Sequence, residues 1–278
     1  MDNRAHLFPL TSVAALRQEL SERARAFALA RDLPHALSYG NSQTVCFEPH
    51  PGGHGNFIPA SYRAILKRPG WNRRLLKVHT HSKRALPPRS TGRWCELDSS
   101  NSSDALLMNI FCYPGLLSNQ NLMALLGVEK GCKPEFGFKA RVPLANGRAD
   151  RTEVDLKLGS LLIESKLTES DFQRRSCAIV GGYKDFAQVF DPRPLPRVNE
   201  LFSSYQVIRN ILAAYSMACS FCLLFDARRP DLKEAFFAVL RCVNSAELRS
   251  RCKLLSWQEL KPALPPKLRS FISEKYGI

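Results

Sequence analysis

Histidine is absent after residue 81, so most of the chain lacks the side chain that serves most often as a general base. The G-x-S-x-G signature of serine hydrolases is also absent. So are the Walker A and G-x-G-x-x-G loops, which hold nucleotide phosphates. The sequence therefore gives no support to a serine or cysteine hydrolase, a P-loop nucleotide hydrolase or a dinucleotide-dependent oxidoreductase.

Secretory and membrane signals are lacking as well. The first residues, MDNRAHLFPL, include an acid at position two and no apolar signal core. The uncharged stretch from Asn210 to Phe225 has 16 residues and includes Ser and Tyr, so it is too short and too mixed to span a bilayer. The nine cysteines, an odd number, are then typical of reduced thiols. We expect a cytoplasmic globular protein with no membrane partner.

Acidic residues are missing between Glu48 and Glu96, in a chain whose formal net charge is +15. Ten basic residues lie in that interval, with Tyr62, Trp71 and Trp94 among them. Cations contact phosphates and aromatic rings stack on bases, so the interval predicts a nucleic-acid-binding surface. A solvated basic surface is the alternative, and no basic amphipathic helix favours a membrane. The predicted nucleic-acid contacts are Arg63, Arg68, Arg73, Arg74, Lys77 and Arg84.

The pattern of elements divides the chain into two regions. Residues 1–100 predict a basic region of helices and loops, with helices over 11–31 and from Pro59 to before Pro69. The stretches 32–58 and 82–100 predict loops. Residues 101–278 predict an α/β core. Its expected elements are a helix over 103–112, strands over 135–142, 151–158 and 161–167, a helix over 199–218, a strand over 219–225, a helix over 231–242 and a short strand KLLSW.

Three charged residues on a predicted hairpin carry the chemistry of the sequence. Period two places Glu164 and Lys166 on one face of their strand, and the turn at Gly159-Ser160 brings Asp155 alongside them. Two carboxylates and one ammonium thus converge on the polar side of a sheet whose other side is apolar. Because like charges repel and Mg²⁺ binds one or two carboxylates, the set favours metal-assisted phosphodiester hydrolysis.

The arrangement resembles the PD-(D/E)xK nuclease superfamily, which has the restriction-endonuclease-like fold. The signature here is Asp155, eight residues, and then Glu164-Ser165-Lys166, with Val154 in place of the leading proline. Residues 100 to 255 are similar to the αβββαβ core of that fold, a mixed central sheet flanked by helices. By this resemblance, Asp155, Glu164 and the Ser165 backbone carbonyl bind Mg²⁺, for which Mn²⁺ substitutes. Lys166 positions the attacking water.

The resemblance also implies supporting residues. Members of the superfamily often add an acid from the helix before the first strand. The candidates here are Glu96, Asp104, Glu129 and Glu135, and of these Glu135 and Glu96 are the expected further metal ligands. Tyr205, Gln206 and Arg209 stand where members place a polar active-site residue, and Gln206 is the supporting candidate. Glu153 shares the face of Asp155 and is either a further supporting residue or a surface partner of Arg151.

The expected activity is therefore that of a Mg²⁺-dependent DNA endonuclease of restriction or repair type, with DNA as its partner and a homodimer left open. By resemblance, the product carries a 5′-phosphate. A nucleic-acid-binding protein that keeps the fold without cleaving is the alternative. A hairpin with a solvated, salt-bridged face would explain the same three residues without any activity.

Two further patterns point to metal or redox chemistry less strongly. Cys46, His50 and His54, with His79 and His81 downstream, would suit zinc. Their Pro- and Gly-rich context favours loop or phosphate-contacting histidines instead. Cys219 and Cys222 spell CxxC, but their apolar strand predicts buried core thiols.

Overall fold

The protein is described from a computed structural model that covers residues 12–40, 43–78, 86–89 and 92–278. Helices in these residues are α1 (Val13–Leu29), α2 (Pro59–Leu66), α3 (Pro69–Leu75), α4 (Ser103–Phe111), α5 (Gln120–Leu126), α6 (Cys177–Gly181), α7 (Phe186–Val189), α8 (Tyr205–Ser216), α9 (Pro230–Leu240), α10 (Ala246–Ser250), α11 (Trp257–Leu260) and α12 (Pro266–Tyr276). Short 3-10 turns cover Glu96–Asp98, Leu116–Ser118 and Lys261–Ala263.

Strands in the same residues are β1 (His35–Leu37), β2 (Val45–Phe47), β3 (Pro49–His50), β4 (Gly53–His54), β5 (Pro134–Lys139), β6 (Val142–Pro143), β7 (Ala149–Asp150), β8 (Glu153–Leu158), β9 (Leu161–Ser165), β10 (Arg175–Ser176), β11 (Arg197–Val198), β12 (Leu201–Phe202), β13 (Ser220–Phe225) and β14 (Cys252–Ser256). The main sheet has five strands in the order β14-β13-β9-β8-β5.

The main sheet is mixed. Strand β8 runs antiparallel to both of its neighbours, β5 and β9, and the tight turn at Gly159, whose φ is +58°, joins β8 to β9. Strand β13 pairs parallel to β9, so the chain needs a crossover, which α8 supplies. Strand β14 pairs parallel to β13 on its other side. The mixed α/β class predicted from the sequence is confirmed.

Both faces of this sheet are buried. Leu156, Ile163 and Leu224 belong to a first hydrophobic core, which also takes residues of α1, α4, α5 and α12. Leu162 and Leu223 belong to a second core, beneath α8 and α9. The sequence predicted a polar side for the hairpin. This holds for β8, where Glu153, Asp155 and Lys157 are part-exposed, and it is wrong for β9, whose residues are all buried. Helix α8 contacts β9 and β13 on that side.

The basic N-terminal region packs onto the same first core rather than standing apart. Leu16 and Leu20 of α1 are buried in it, and the Phe27 ring meets the Phe271 ring of α12 edge-on at 5.8 Å. The predicted loop over 32–58 contains the strand pairs β1–β2 and β3–β4. These strands have two or three residues each, which is too short for a period to show in the sequence.

The helix predicted over 199–218 begins later, at Tyr205. The residues before it form the small sheet of β10, β12 and β11, and Ser204 precedes the helix with a left-handed φ of +58°. Cys219 and Cys222 are both buried, one in each core, as predicted for core thiols. Among the described helices, none combines the length and the apolar character that a bilayer crossing requires.

Candidate active site

The hairpin of β8 and β9 brings Asp155 next to Glu164. The register pairs Leu156 with Ile163, so continuing it by one residue sets Asp155 opposite Glu164. The Ser165 N–H and hydroxyl both donate to Asp155 Oδ2, at 2.8 and 3.0 Å. Asp155 is half-buried, and Ser165, the last residue of β9, fixes one of its two carboxylate oxygens.

Glu164 and Lys166 form a buried ion pair. Lys166 Nζ lies 3.0 Å from Glu164 Oε1, and their side chains are 6% and 3% exposed. The other oxygen, Oε2, accepts a hydrogen bond from Asn210 Nδ2 at 2.9 Å. The structure thus brings together the three residues that the sequence singled out, and it adds Asn210 of α8 as a fourth.

The electrostatics of this group are unbalanced, because two carboxylates share one ammonium. Burial raises the pKa of Asp155 well above its usual range, and the charges of Glu164 and Asp104 raise it further. Lys166 and the Ser165 N–H offset only part of this. Burial alone would lower the pKa of Lys166, but Glu164, Glu169 and Asp155 more than compensate and raise it. The site therefore holds negative charge that its own lysine does not neutralise.

Asp104 is the acid of the preceding helix that lies beside the site. Ser102 caps α4 by accepting from the Ala105 N–H, which sets Asp104 in the first turn. Its carboxylate accepts a 2.6 Å bond from Arg74, whose guanidinium also donates to Glu153 at 2.9 Å. Burial raises the pKa of Asp104, while Arg74 opposes that rise. Glu153 thus pairs with Arg74, and not with Arg151 as one sequence alternative held.

The other acids proposed as further ligands lie in different contacts. Glu96 pairs with Lys77 at 2.9 Å. Glu135 pairs with Lys157 at 2.9 Å on the outer strand, and its side chain is 54% exposed. Glu129 is exposed, beyond the end of α5. None of these three appears among the main charges that act on Asp155, whereas Asp104 does.

Helix α8 supplies a polar relay that sequence reasoning missed. Arg209 Nη2 donates to Asn210 Oδ1 at 2.7 Å and to the Glu153 carbonyl at 2.9 Å. Because Asn210 accepts from Arg209 with its oxygen, its amide nitrogen faces Glu164. Gln206 lies one turn earlier, and its Oε1 is buried with no partner among the described residues. In the sequence, Asn210 stands one turn after Gln206 in a helix with many apolar residues, and this polar position is the signal that could have identified it.

The segment after β9 is held from several sides. Trp257 Nε1 donates to the Lys166 carbonyl at 3.0 Å, and Arg229 Nη1 donates to the Glu169 carbonyl at 2.8 Å. The Ser103 hydroxyl donates to Glu169. These contacts come from α11, α9 and α4, so the backbone that carries Lys166 is fixed by three helices.

A divalent cation suits the donor set of the site, though the set is small. Among the described residues, no group of three or more His, Cys, Asp or Glu side chains is placed to hold a metal ion. Mg²⁺ does not need such a group, since one or two carboxylates with water and substrate phosphates suffice. Asp155 and Glu164 supply two carboxylates, and burial together with the charge of Glu164 raises the pKa of Asp155, a conflict that a bound cation would relieve.

The comparison with protein families fits this geometry. The sequence model of the family described as Restriction Endonuclease associating with ARP matches residues 24–277. The chain belongs to this family. Membership of a restriction-endonuclease family agrees with the mixed α/β fold and indicates a nuclease. Among curated proteins and among solved structures, no match to the chain was found.

The second metal pattern of the sequence does not assemble in the described residues. His54 Nε2 donates to Asp98 at 3.0 Å and its Nδ1 accepts from the Asn56 N–H, so both ring nitrogens are engaged. His50 Nδ1 accepts from the Gly52 N–H. With Cys46 these residues form no metal cluster in the part of the chain that is described. His79 and His81 lie outside it.

The predicted nucleic-acid contacts fall into two groups in this restriction-endonuclease family member. Three of them are exposed: Arg63 lies on α2, Arg68 directly precedes α3, and Arg73 lies on α3. Arg68 also stacks on the Trp71 ring at 3.9 Å. None of the three pairs with a carboxylate within the described ranges. Arg74 and Lys77 are instead bound to acids near the site. Arg84 lies outside the described residues.

Proposed function

We propose that the protein is a Mg²⁺-dependent DNA endonuclease of the PD-(D/E)xK type. The observation that carries this proposal is the convergence of Asp155 and Glu164, on adjacent strands, with Lys166 as their shared cation. Burial and the neighbouring charge of Glu164 raise the pKa of Asp155, which supports the proposal. Perturbed groups of this kind are concentrated at functional sites.

Each residue of the site has a distinct task in this proposal. Asp155, Glu164 and the Ser165 carbonyl would hold the cation, and Asp104 of α4 would add negative charge beside them. Bound Mg²⁺ polarises a phosphoryl oxygen and lowers the pKa of a water ligand. Lys166, kept protonated by its carboxylate neighbours, holds the attacking water and offsets charge that develops on the phosphate.

The polar relay of α8 keeps Glu164 in place. Asn210 Nδ2 donates to the Glu164 oxygen that Lys166 does not contact, and Arg209 fixes the orientation of the Asn210 amide. Glu164 is therefore positioned from two sides before any substrate arrives. Such pre-organisation reduces the rearrangement required during the reaction.

A non-catalytic nucleic-acid-binding protein is the second candidate. One observation favours it: Lys166 already pairs with Glu164. In that case the exposed cations of α2 and α3 would act alone, on DNA or RNA. The family description also names an association with ARP. A homodimer is a further proposal, and the molecular mass of the purified protein in solution tests it.

Cleavage of plasmid, linear and branched DNA by the purified protein with Mg²⁺ or Mn²⁺ tests the proposal. Asp155→Asn, Glu164→Gln and Lys166→Met should each reduce cleavage on the order of 10²-fold or more, because each removes a cation ligand or the water-positioning ammonium. DNA binding, measured by fluorescence anisotropy without metal, should be largely retained.

Glu135→Gln is the matched control for these variants. It removes a carboxylate from the same sheet, but from a half-exposed position paired with Lys157. Cleavage by this variant should remain close to that of the wild type, whereas Asp104→Asn should reduce it. If the wild-type protein cuts none of the three DNA forms with either ion, the binding-protein candidate replaces the nuclease.

A further inference from the structure

Arg74 joins two carboxylates that flank the candidate site. Its Nη2 lies 2.6 Å from Asp104 Oδ2, and its Nη1 lies 2.9 Å from Glu153 Oε2. Asp104 comes from α4, and Glu153 lies two residues before Asp155 on β8. The Arg74 side chain is only 11% exposed and that of Asp104 18%, whereas that of Glu153 is 38% exposed, so the contact to Asp104 is the better shielded of the two. We name Arg74, Asp104 and Glu153 the arginine clasp.

The clasp neutralises an acid that acts on the site. The charge of Asp104 is among those that raise the pKa of Asp155, so the two carboxylates are close enough to interact. Yet the charge of Asp104 is held by the guanidinium through a short, charge-assisted hydrogen bond. While Arg74 holds Asp104, the negative charge that attracts a cation to Asp155 comes mainly from Asp155 and Glu164, and Asp104 adds little to it.

Arg74 also borders an open groove. Arg73, Arg74, Lys77 and Trp71 line it on one side, and the edge strand β5 lines it on the other. Its volume of about 570 Å³ is ample for a phosphate group of a nucleic acid. The groove carries three cations and two carboxylates, Glu135 and Glu153. Arg73 is exposed with no carboxylate partner among the described residues, so it is the cation of the groove that is free to contact a phosphate.

Gly137 of β5 makes the closed clasp possible. A Cβ at this position would lie 2.5 Å from Arg74 Nη1 and 3.2 Å from Glu153 Oε2, and the backbone there has φ of +62°. Any side chain at this position would therefore push the guanidinium out of its place. The strand leaves space for Arg74 at the point where it meets both acids.

We propose that the arginine clasp couples DNA binding to metal binding. A DNA phosphate in the groove draws Arg74 away from Asp104, and the released carboxylate then adds to the negative charge that Asp155 and Glu164 present to the cation. This coupling rests on the proposed nuclease function. By thermodynamic linkage, opening the clasp by mutation should strengthen cation binding in the absence of DNA.

Calorimetric titration of Mg²⁺ into the DNA-free protein tests the coupling. Arg74→Gln should bind Mg²⁺ about tenfold more tightly than the wild type, within the 5- to 150-fold range of typical coupling. Arg73→Gln is the matched control, since it removes the same charge from the same helix without breaking a contact to an acid. In an Asp104→Asn background, Arg74→Gln should give little or no gain.

Gly137→Ala opens the clasp without changing any charge, and it should strengthen Mg²⁺ binding in the same direction as Arg74→Gln. Gly147→Ala controls for backbone strain, because Gly147 has φ of +79° and no atom within 4 Å of an added Cβ. In metal-free DNA binding, Arg74→Gln should flatten the slope of log affinity against log salt by about 0.9, as expected for one lost phosphate contact.

Three results would overturn the clasp. One is a Mg²⁺ affinity in Arg74→Gln and Gly137→Ala that is no higher than in the control Arg73→Gln, while the wild type still cuts DNA. This result would reject the clasp and leave the nuclease proposal intact. Another is an unchanged salt slope in Arg74→Gln, which means that Arg74 never moves to a phosphate. The third is the absence of Mg²⁺ binding in every variant, including the wild type, which removes the nuclease proposal as well.

Discussion

Two neighbouring strands of the main sheet end in buried charges, and the two ends are built in opposite ways. Strands β9 and β13 are parallel, with Ser165 paired to Leu224, so their carboxyl ends meet at the same edge. After β9, Glu164 and Asp155 share Lys166. After β13, each arginine has a carboxylate of its own.

The end of β13 is fully matched. Arg228 contacts Asp226 through two parallel hydrogen bonds of 2.9 and 2.6 Å, and Arg229 contacts Asp231 in the same way at 2.8 and 2.7 Å. Arg228 also reaches Glu19 of α1. Such forked pairs combine strong geometry with charge balance. This end ties the helices to the sheet.

The contrast shows where the fold uses buried charge for stability and where it leaves charge unpaired. At the end of β13, neutral forked pairs satisfy nearly every polar atom. At the end of β9, the raised pKa of Asp155 records a cost that the folded chain bears without a ligand. Sites that need a cation or substrate commonly carry such a cost, which lowers stability in exchange for function.

The largest expected effect comes from breaking the matched end. Asp226→Asn removes the charge that pairs with Arg228 while keeping the shape of the side chain. Because the buried Arg228 then keeps only Glu19 as a carboxylate partner, whose side chain is 35% exposed, the free energy of unfolding should fall by about 3 kcal/mol, near the lower end for a broken buried pair. Denaturant titration measures this fall. A loss below about 1 kcal/mol would mean that the two strand ends do not differ as described.

The same substitution at the other end should have a smaller effect of opposite sign. Asp155→Asn removes a charge that burial and Glu164 disfavour, so the metal-free protein should gain up to about 1 kcal/mol of stability. Because the pKa of Asp155 is raised in the fold, the penalty grows as pH rises above about 3.9, the value for an unfolded chain.

The gain should therefore be present at pH 7 and should vanish as the pH approaches 4. Urea titrations with a chelator at several pH values provide the measurement. If Asp155→Asn destabilises the protein at pH 7 as much as Asp226→Asn does, the charge at Asp155 is stabilising and the comparison fails.

The smallest expected effect on stability concerns three exposed arginines that pair with no carboxylate at either strand end. Arg63→Gln, Arg68→Gln and Arg73→Gln, made singly, should each flatten the salt dependence of DNA binding by about 0.9 in the log–log slope. Stability should change by less than about 0.5 kcal/mol, since these side chains are exposed. Lys233→Gln on α9 is the control. An equal change of slope in this variant would place the DNA surface elsewhere.

Much of the fold was predictable because long elements show their period. The alternation in 151–158, the turn at Gly159 and the apolar run of 219–225 indicated β8, β9 and β13. Elements of two or three residues, such as β3 and β4, carry no period, so 32–58 was predicted to be a loop. The predicted polar side was right for β8 and wrong for β9, because sequence alternation does not reveal that α8 packs over β9.

The candidate site was predictable only as far as local geometry reaches. Period two and a tight turn suffice to bring Asp155, Glu164 and Lys166 together. The position of Asp104 depends on how α4 docks near the end of β8, which no local pattern encodes. Likewise, Arg74 looked like any other member of a basic interval, since the choice between phosphate and carboxylate partners is made by tertiary structure.

The packing of α1 against α12 has a consequence for the order of folding. Phe27 and Phe271 meet in the first core, and Arg31 pairs with Glu274. The apolar face of α1, the first of the described helices in chain order, is therefore covered only after α12, the last of them, has been synthesised. At a synthesis rate of about 5–20 residues per second, α1 waits on the order of 10–50 s for that partner. During this interval its apolar face is open to water, to non-native contacts and to chaperones. The basic segment that follows α1 thus emerges from the ribosome long before the surface it will flank is complete.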